Sequence, residues 1–104
     1  MNIGKDSLIS SQAIVAQPEN IHGGNNVQIK PTVVLRPETG FIYIGNNVTI
    51  NHYTVIHAKG GVEIGDWTII GPHCRIRAQR QDKIAVPISE LFRSNWQENC
   101  LRNS

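Results

Sequence analysis

Aliphatic residues recur along this chain every six positions, in sets of three, and the sets themselves repeat. They are Ile3, Ile9 and Val15; Gly23, Ile29 and Leu35; Ile44, Ile50 and Ile56; and Ile64, Ile70 and Ile76. Four positions after the first two members of each set stands a small or β-branched residue: Ser7 and Ala13, Val27 and Val33, Val48 and Thr54, Thr68 and Cys74. The sets begin at residues 3, 23, 44 and 64, and only Gly23 breaks the aliphatic rule. A spacing of six is neither the 3.6 of a helix nor the alternation of a long strand. It predicts a strand of about four residues, then a turn, three times per coil, with strands of successive coils side by side. The aliphatic and the small residue then point into a narrow prism, where close packing limits size.

The corners are marked as well. Gly24-Asn25-Asn26-Val27-Gln28-Ile29, Gly45-Asn46-Asn47-Val48-Thr49-Ile50 and Gly65-Asp66-Trp67-Thr68-Ile69-Ile70 align without gaps, and Gly4-Lys5-Asp6-Ser7-Leu8-Ile9 is a fourth copy. Glycine and asparagine supply corner conformations that other residues adopt at a cost. Each coil carries extra residues on its third side, in 16–22, 36–43 and 57–63. At about 4.8 Å per coil the prism is about 19 Å tall.

Beyond the last coil the pattern changes. Ile88, Leu91, Phe92, Trp96 and Cys100 fall on one helical face, with Ser89 as N-cap. The expectation is a β-helix domain over 1–86 and a capping helix and tail over 87–104, the helix covering strand edges at the open end. Residues expected to face outward are apolar at Leu8, Ile14, Val34, Val55 and Ile69, and Ile14, Val34 and Val55 share one side as a vertical stripe. Such a stripe marks an interface, so self-association is expected, and closed threefold symmetry suits a prism.

Composition narrows the partners. Apolar residues at 39% and charged residues at 17% exclude a disordered chain. The net charge of +2 gives no global field for nucleic acid, although Arg75, Arg77, Arg80, Lys83 and Arg93 form a local basic excess. No run approaches the roughly 18 apolar residues of a membrane span, and the N-terminus lacks the apolar run of a signal peptide. Cys74 and Cys100 are too few for a disulfide framework and lack metal-pair spacing. A cytoplasmic protein with reduced thiols is expected, with Cys74 an inert thiol in the core.

Stacking the coils yields outward columns that could carry chemistry. One reads Ser11, Pro31, His52, Pro72; the next Gln12, Thr32, Tyr53, His73; a third Ala16, Arg36, His57, Arg77. His52 is the first candidate base and His57 the second. Arg36 and Arg77 present forks that match carboxylate or phosphate. Tyr53 and Trp67 are outward aromatics suited to stacking on a sugar or adenine ring, or to burial between subunits.

The repeat resembles that of the bacterial hexapeptide transferase superfamily: an aliphatic residue, Gly, two variable residues, a small residue and one more, over roughly residues 3–84. The resemblance implies an all-β fold, a left-handed parallel β-helix of about four coils with a short C-terminal helix, trimeric assembly, and acyl transfer from acetyl-CoA with a histidine as general base. Ile50-Asn51-His52 is similar to a histidine motif of serine acetyltransferase-like members. The stretch from Ile56-His57-Ala58-Lys59-Gly60-Gly61 through Ile70-Gly71-Pro72 to Val86-Pro87-Ile88 resembles the sugar and maltose O-acetyltransferase branch. In that branch the loop before the Pro-Ile carries the catalytic histidine; here Gln79, Arg80 and Gln81 stand there, and glutamine cannot accept a proton. Relatives of that branch continue for several further coils, so the chain reads as the front half of such an enzyme.

His52 and His57, five apart, also resemble two zinc ligands of the γ-class carbonic anhydrases. The place of the third ligand holds Arg36, which cannot ligate zinc, so no metal ligands are assigned. Three functions stay open: a minimal CoA-dependent O-acetyltransferase, a non-catalytic trimeric binding or assembly module, and a metal enzyme of the carbonic anhydrase kind.

Overall fold

The computed structural model describes residues 1–79, 83–86 and 101–103. The first coil holds β1 (Leu8–Ile9), β2 (Ile14–Val15) and β3 (Ile21–Gly23), with a short 3-10 turn at Pro18–Asn20 before β3. The second holds β4 (Gln28–Ile29), β5 (Val34–Arg36) and β6 (Ile42–Ile44). The third holds β7 (Thr49–Ile50), β8 (Val55–Ala58) and β9 (Val62–Ile64). The fourth holds β10 (Thr68–Ile70), β11 (Arg75–Ala78) and β12 (Ile84–Val86). Three parallel sheets result, β1-β4-β7-β10, β2-β5-β8-β11 and β3-β6-β9-β12. The protein is a left-handed parallel β-helix.

The expected interior is the observed one from the second coil on; in the first, Ile3, Ser7, Ala13 and Val15 are only half-buried and Ile9 is exposed. Ile29, Ile50 and Ile70 align on the first side, Leu35, Ile56 and Ile76 on the second, Ile44 and Ile64 on the third, and all are buried. Val27, Val48, Val33 and Cys74 fill the small positions, and buried Thr54 and Thr68 donate to the carbonyls of Gly71 and Gly65 at 2.9 and 2.8 Å. The third side contributes a further inward row, Ile21, Ile42 and Val62. Gly23 interrupts the aliphatic column because Ile3 lies against it: a Cβ there would meet Ile3 Cγ1 at 3.1 Å. Burying one such aliphatic side chain is worth about 1.5–3 kcal/mol. The exposed Lys83–Glu63 pair, 3.1 Å long, adds at most about 1 kcal/mol. The core, not the surface pairs, holds the coils together.

The first corner is locked by a ladder of side chains. Lys5 N–H donates to Asn25 Oδ1 at 2.9 Å, Asn25 N–H to Asn46 Oδ1 at 2.8 Å, and Asn46 N–H to Asp66 Oδ1 at 2.7 Å. Each carboxamide or carboxylate therefore lies over the glycine of the coil before. A Cβ on Gly24 would collide with Asn46 Oδ1, and one on Gly45 with Asp66 Oδ1, which explains the Gly-Asn and Gly-Asp pairs.

The open end of the first sheet is covered in a way the periodicity does not foretell. A last strand, β13 (Leu101–Asn103), pairs antiparallel with β10, Ile70 opposite Leu101 and Thr68 opposite Asn103. The expected helix over 89–100 lies outside the described residues. No helix among the described residues is long and apolar enough to cross a membrane.

Cys74, 2% exposed, occupies its expected inward position but is disulfide-bonded, which corrects the expectation of a reduced core thiol. A disulfide belongs more often to oxidising compartments, so reduced thiols no longer argue for the cytoplasm.

Gly45→Ala tests the corner ladder. It is expected to destabilise the protein by about 1–3 kcal/mol, read as a lower midpoint in thermal unfolding. An unchanged midpoint would show that the ladder yields freely.

Candidate functional site

The second sheet builds the most polar outward column. Arg36 on β5 pairs in register with His57 on β8, and His57 with Arg77 on β11. The alternation that buries Leu35, Ile56 and Ile76 sends these side chains outward. Arg36 and Arg77 are exposed and His57 is half-buried. His57 Nδ1 lies 3.4 Å from Oε1 of Glu38, so a proton on Nδ1 is donated to that carboxylate and Nε2 is left as the acceptor. Glu38 stands at the third corner with φ 56, two residues beyond Arg36. Sequence reasoning passed over it. No spacing signals it, because the contact depends on the left-handed backbone of that corner.

The same sheet carries the apolar stripe. Ile14, Val34 and Val55 lie in register, as expected, and the column ends in Arg75. Ile14 is exposed, and Val34 and Val55 are half-buried within the single chain.

The remaining candidates sit at other corners. His52 and Tyr53 occupy the turn between the first and second sheets, and both are exposed. Tyr53 stacks on His73 of the next coil, with ring centroids 4.9 Å apart and planes 9° from parallel, and its ring lies 6.4 Å from that of His52. Trp67 is exposed at the turn between the third and first sheets. Thr32, Tyr53, His73 and Trp67 all have positive φ, from 58 to 65°. Left-handed backbone costs residues of this kind about 1–2 kcal/mol each. Within one chain, then, Arg36, His57 and Arg77 come together with Glu38. His52 and Tyr53 lie at the far end of the second sheet, and Trp67 lies on another corner.

A third outward cluster was not anticipated. On the third sheet Tyr43 packs against Phe41 at 4.5 Å and edge-on to His22 at 5.4 Å, with Glu63 in register beside it.

The bacterial transferase hexapeptide (six repeats) family matches residues 41–78, from β6 through β11. A solved structure with similar coils is that of a point mutant of AntD, an N-acyltransferase from Bacillus cereus, in complex with dTDP and coenzyme A. It is 32% identical to this chain with a TM-score of 0.66, and covers 71% of it. The chain belongs to the hexapeptide-repeat transferase superfamily. It is an acyltransferase-like member, and it spans 39% of the AntD chain. Among curated proteins no sequence matches it.

The carbonic anhydrase likeness meets a physical obstacle in this superfamily member. Arg36 lies in register with His57 at the place of the third zinc ligand, and Arg77 flanks the other side. Two guanidinium groups disfavour a divalent cation there. Among the described residues no three His, Cys, Asp or Glu side chains gather as a metal site. Untagged protein dialysed against micromolar zinc is expected to retain far less than one zinc per subunit by elemental analysis. A stoichiometric content would overturn this electrostatic argument.

Proposed function

We propose that the protein is a CoA-dependent acyltransferase, working as a homotrimer with acetyl-CoA as a candidate donor. The observation that carries this is its likeness to an N-acyltransferase solved with coenzyme A. His57 takes the proton from an acceptor hydroxyl or amine as its oxygen or nitrogen attacks the thioester carbonyl. The C–S bond then breaks, and the proton passes on to the departing CoA thiolate. Glu38 supports this assignment, because a base oriented by a carboxylate keeps the right nitrogen free. His52 is the second candidate base, but it meets no hydrogen-bonding side chain among the described residues. Tyr53, with His73 stacked on it, and Trp67 offer ring faces for an adenine or sugar, and Arg36 and Arg77 offer charge for an anion.

The Ile14–Val34–Val55 stripe supports association. In a trimer these side chains would leave water, and the seam between subunits would receive the pantetheine arm. An acyl-CoA donor argues for the cytoplasm, while the Cys74 disulfide is of a kind commoner in oxidising compartments. One observation favours a second reading, a trimeric binding or assembly module without chemistry. In the sequence, Gln79, Arg80 and Gln81 follow β11 where the sugar acetyltransferase-like branch has its base.

Isothermal titration with acetyl-CoA, followed by CoA-thiol release assays over hydroxyl and amino acceptors, separates the two. Micromolar binding with turnover is expected, and His57→Ala is expected to lower kcat by about 10²–10⁴-fold while coenzyme affinity stays within a few-fold. Loss on His52→Ala instead would move the base to the other corner. No heat at millimolar acetyl-CoA would leave the assembly reading. Separately, Val55→Glu is expected to convert the trimer to monomer in light scattering; a wild-type monomer at micromolar concentration would sink the trimer itself.

A further inference from the structure

We infer that the acceptor carries an oxyanion, a carboxylate or a phosphate, which Arg77 holds while His57 takes the proton from a nucleophile one coil away. This rests on the acyltransferase reading above and names the substrate class for that site.

The Arg36–His57–Arg77 column is asymmetric. Arg36 shares its coil with Glu38, the carboxylate that faces His57 at 3.4 Å, so that side of the histidine already has its negative charge. Arg77, on the other side, is exposed. The ion pairs among the described residues are His57–Glu38 and Lys83–Glu63, and neither involves Arg77. Arg75, two residues earlier on β11 and outward on the same sheet, adds a second exposed guanidinium. Positive potential therefore rises from the Glu38 side of His57 toward β11. An arginine fork binds carboxylate or phosphate through paired charge-assisted hydrogen bonds.

The anion belongs to the acceptor rather than to the coenzyme for a geometric reason. The base acts at the thioester end, and the whole pantetheine arm separates that end from the CoA phosphates. Arg77 is only one coil from His57, a spacing of about 4.8 Å. A group bound there must be joined to the nucleophile by a few bonds. Short hydroxy or amino acids fit, as do sugar phosphates with a neighbouring hydroxyl.

The test pairs each anionic compound with a neutral analogue: 3-hydroxybutyrate with its amide, and glucose 1-phosphate with methyl glucoside. His57 imidazole resonances are followed by NMR as each is added, and acyl transfer from acetyl-CoA is assayed in parallel. At least one anionic member is expected to shift the His57 signals and to be acetylated, its neutral analogue at least tenfold less effectively. Arg77→Gln should raise KM for that acceptor by about 10–100-fold and leave KM for acetyl-CoA within threefold; Arg75→Gln, which only lowers the surrounding potential, should raise the acceptor KM severalfold less than Arg77→Gln does and leave KM for acetyl-CoA within threefold. All three arginine and histidine positions face outward, so folding is not at stake in these variants. Equal use of neutral and anionic acceptors, unaffected by Arg77→Gln, would overturn the inference and leave the acyltransferase reading standing. Anion binding that depends on Arg77 without acyl transfer to any acceptor would remove the acyltransferase reading and with it the assignment of this anion to an acceptor. A tenfold or greater rise in KM for acetyl-CoA in Arg77→Gln would hand the guanidinium to the coenzyme and also overturn it.

Discussion

Backbone hydrogen bonds from coil to coil hold this molecule in one vertical register, each residue lying over its counterpart 20 to 22 positions away. Everything else depends on that register. A slip of one position would turn each inward isoleucine to solvent and each outward arginine into the prism. The narrow interior punishes the slip through lost burial, and the Asn25–Asn46–Asp66 ladder punishes it through lost corner hydrogen bonds. Two penalties of different origin act on the same displacement, so the columns are well defined although each strand has only two to four residues.

This is why so much of the fold was legible. The period of six encodes an inside and an outside directly, and the residues that must be inside, such as Ile29, Ile50 and Ile70, are all of one kind. The third side was harder to read. Its inward row, Ile21, Ile42 and Val62, falls in segments of unequal length, where a fixed period loses phase. β13 was invisible for another reason: an antiparallel edge strand of three residues leaves no periodic trace, and it depends on a partner strand far away in sequence. The fate of Cys74 was equally hidden, since a small inward position accepts a thiol or a disulfide sulfur alike.

The candidate site was legible in part. Register placed Arg36, His57 and Arg77 in one column before any coordinates, because each follows an inward aliphatic residue by one position. Register also placed His52 and Tyr53 together at a corner. It could not supply Glu38, which reaches His57 across a turn through a backbone φ of 56° that no repeat rule dictates. Position along the strand can be read from spacing, but the direction of a corner side chain requires the turn's own dihedrals. That one contact changes the preference between the two histidines.

Outward positions of a β-helix are free of the demands that shape its interior, so an unfavourable arrangement there calls for a reason. Like charges gathered on one face of a sheet repel one another, weakly where solvent screens them. Arg36 and Arg77 bracket His57, and Arg75 stands beside Arg77 on the same face. Glu38 offsets the charge at one end of the column and leaves the other end uncompensated within the described chain. Nothing in the packing of Leu35, Ile56 and Ile76 beneath requires arginine above. A ligand that brings negative charge to β11 offsets that repulsion. The same charge raises the local concentration of anions before binding. An arrangement mildly repulsive by itself and favourable to an oxyanion is better understood as a site than as a solvated edge.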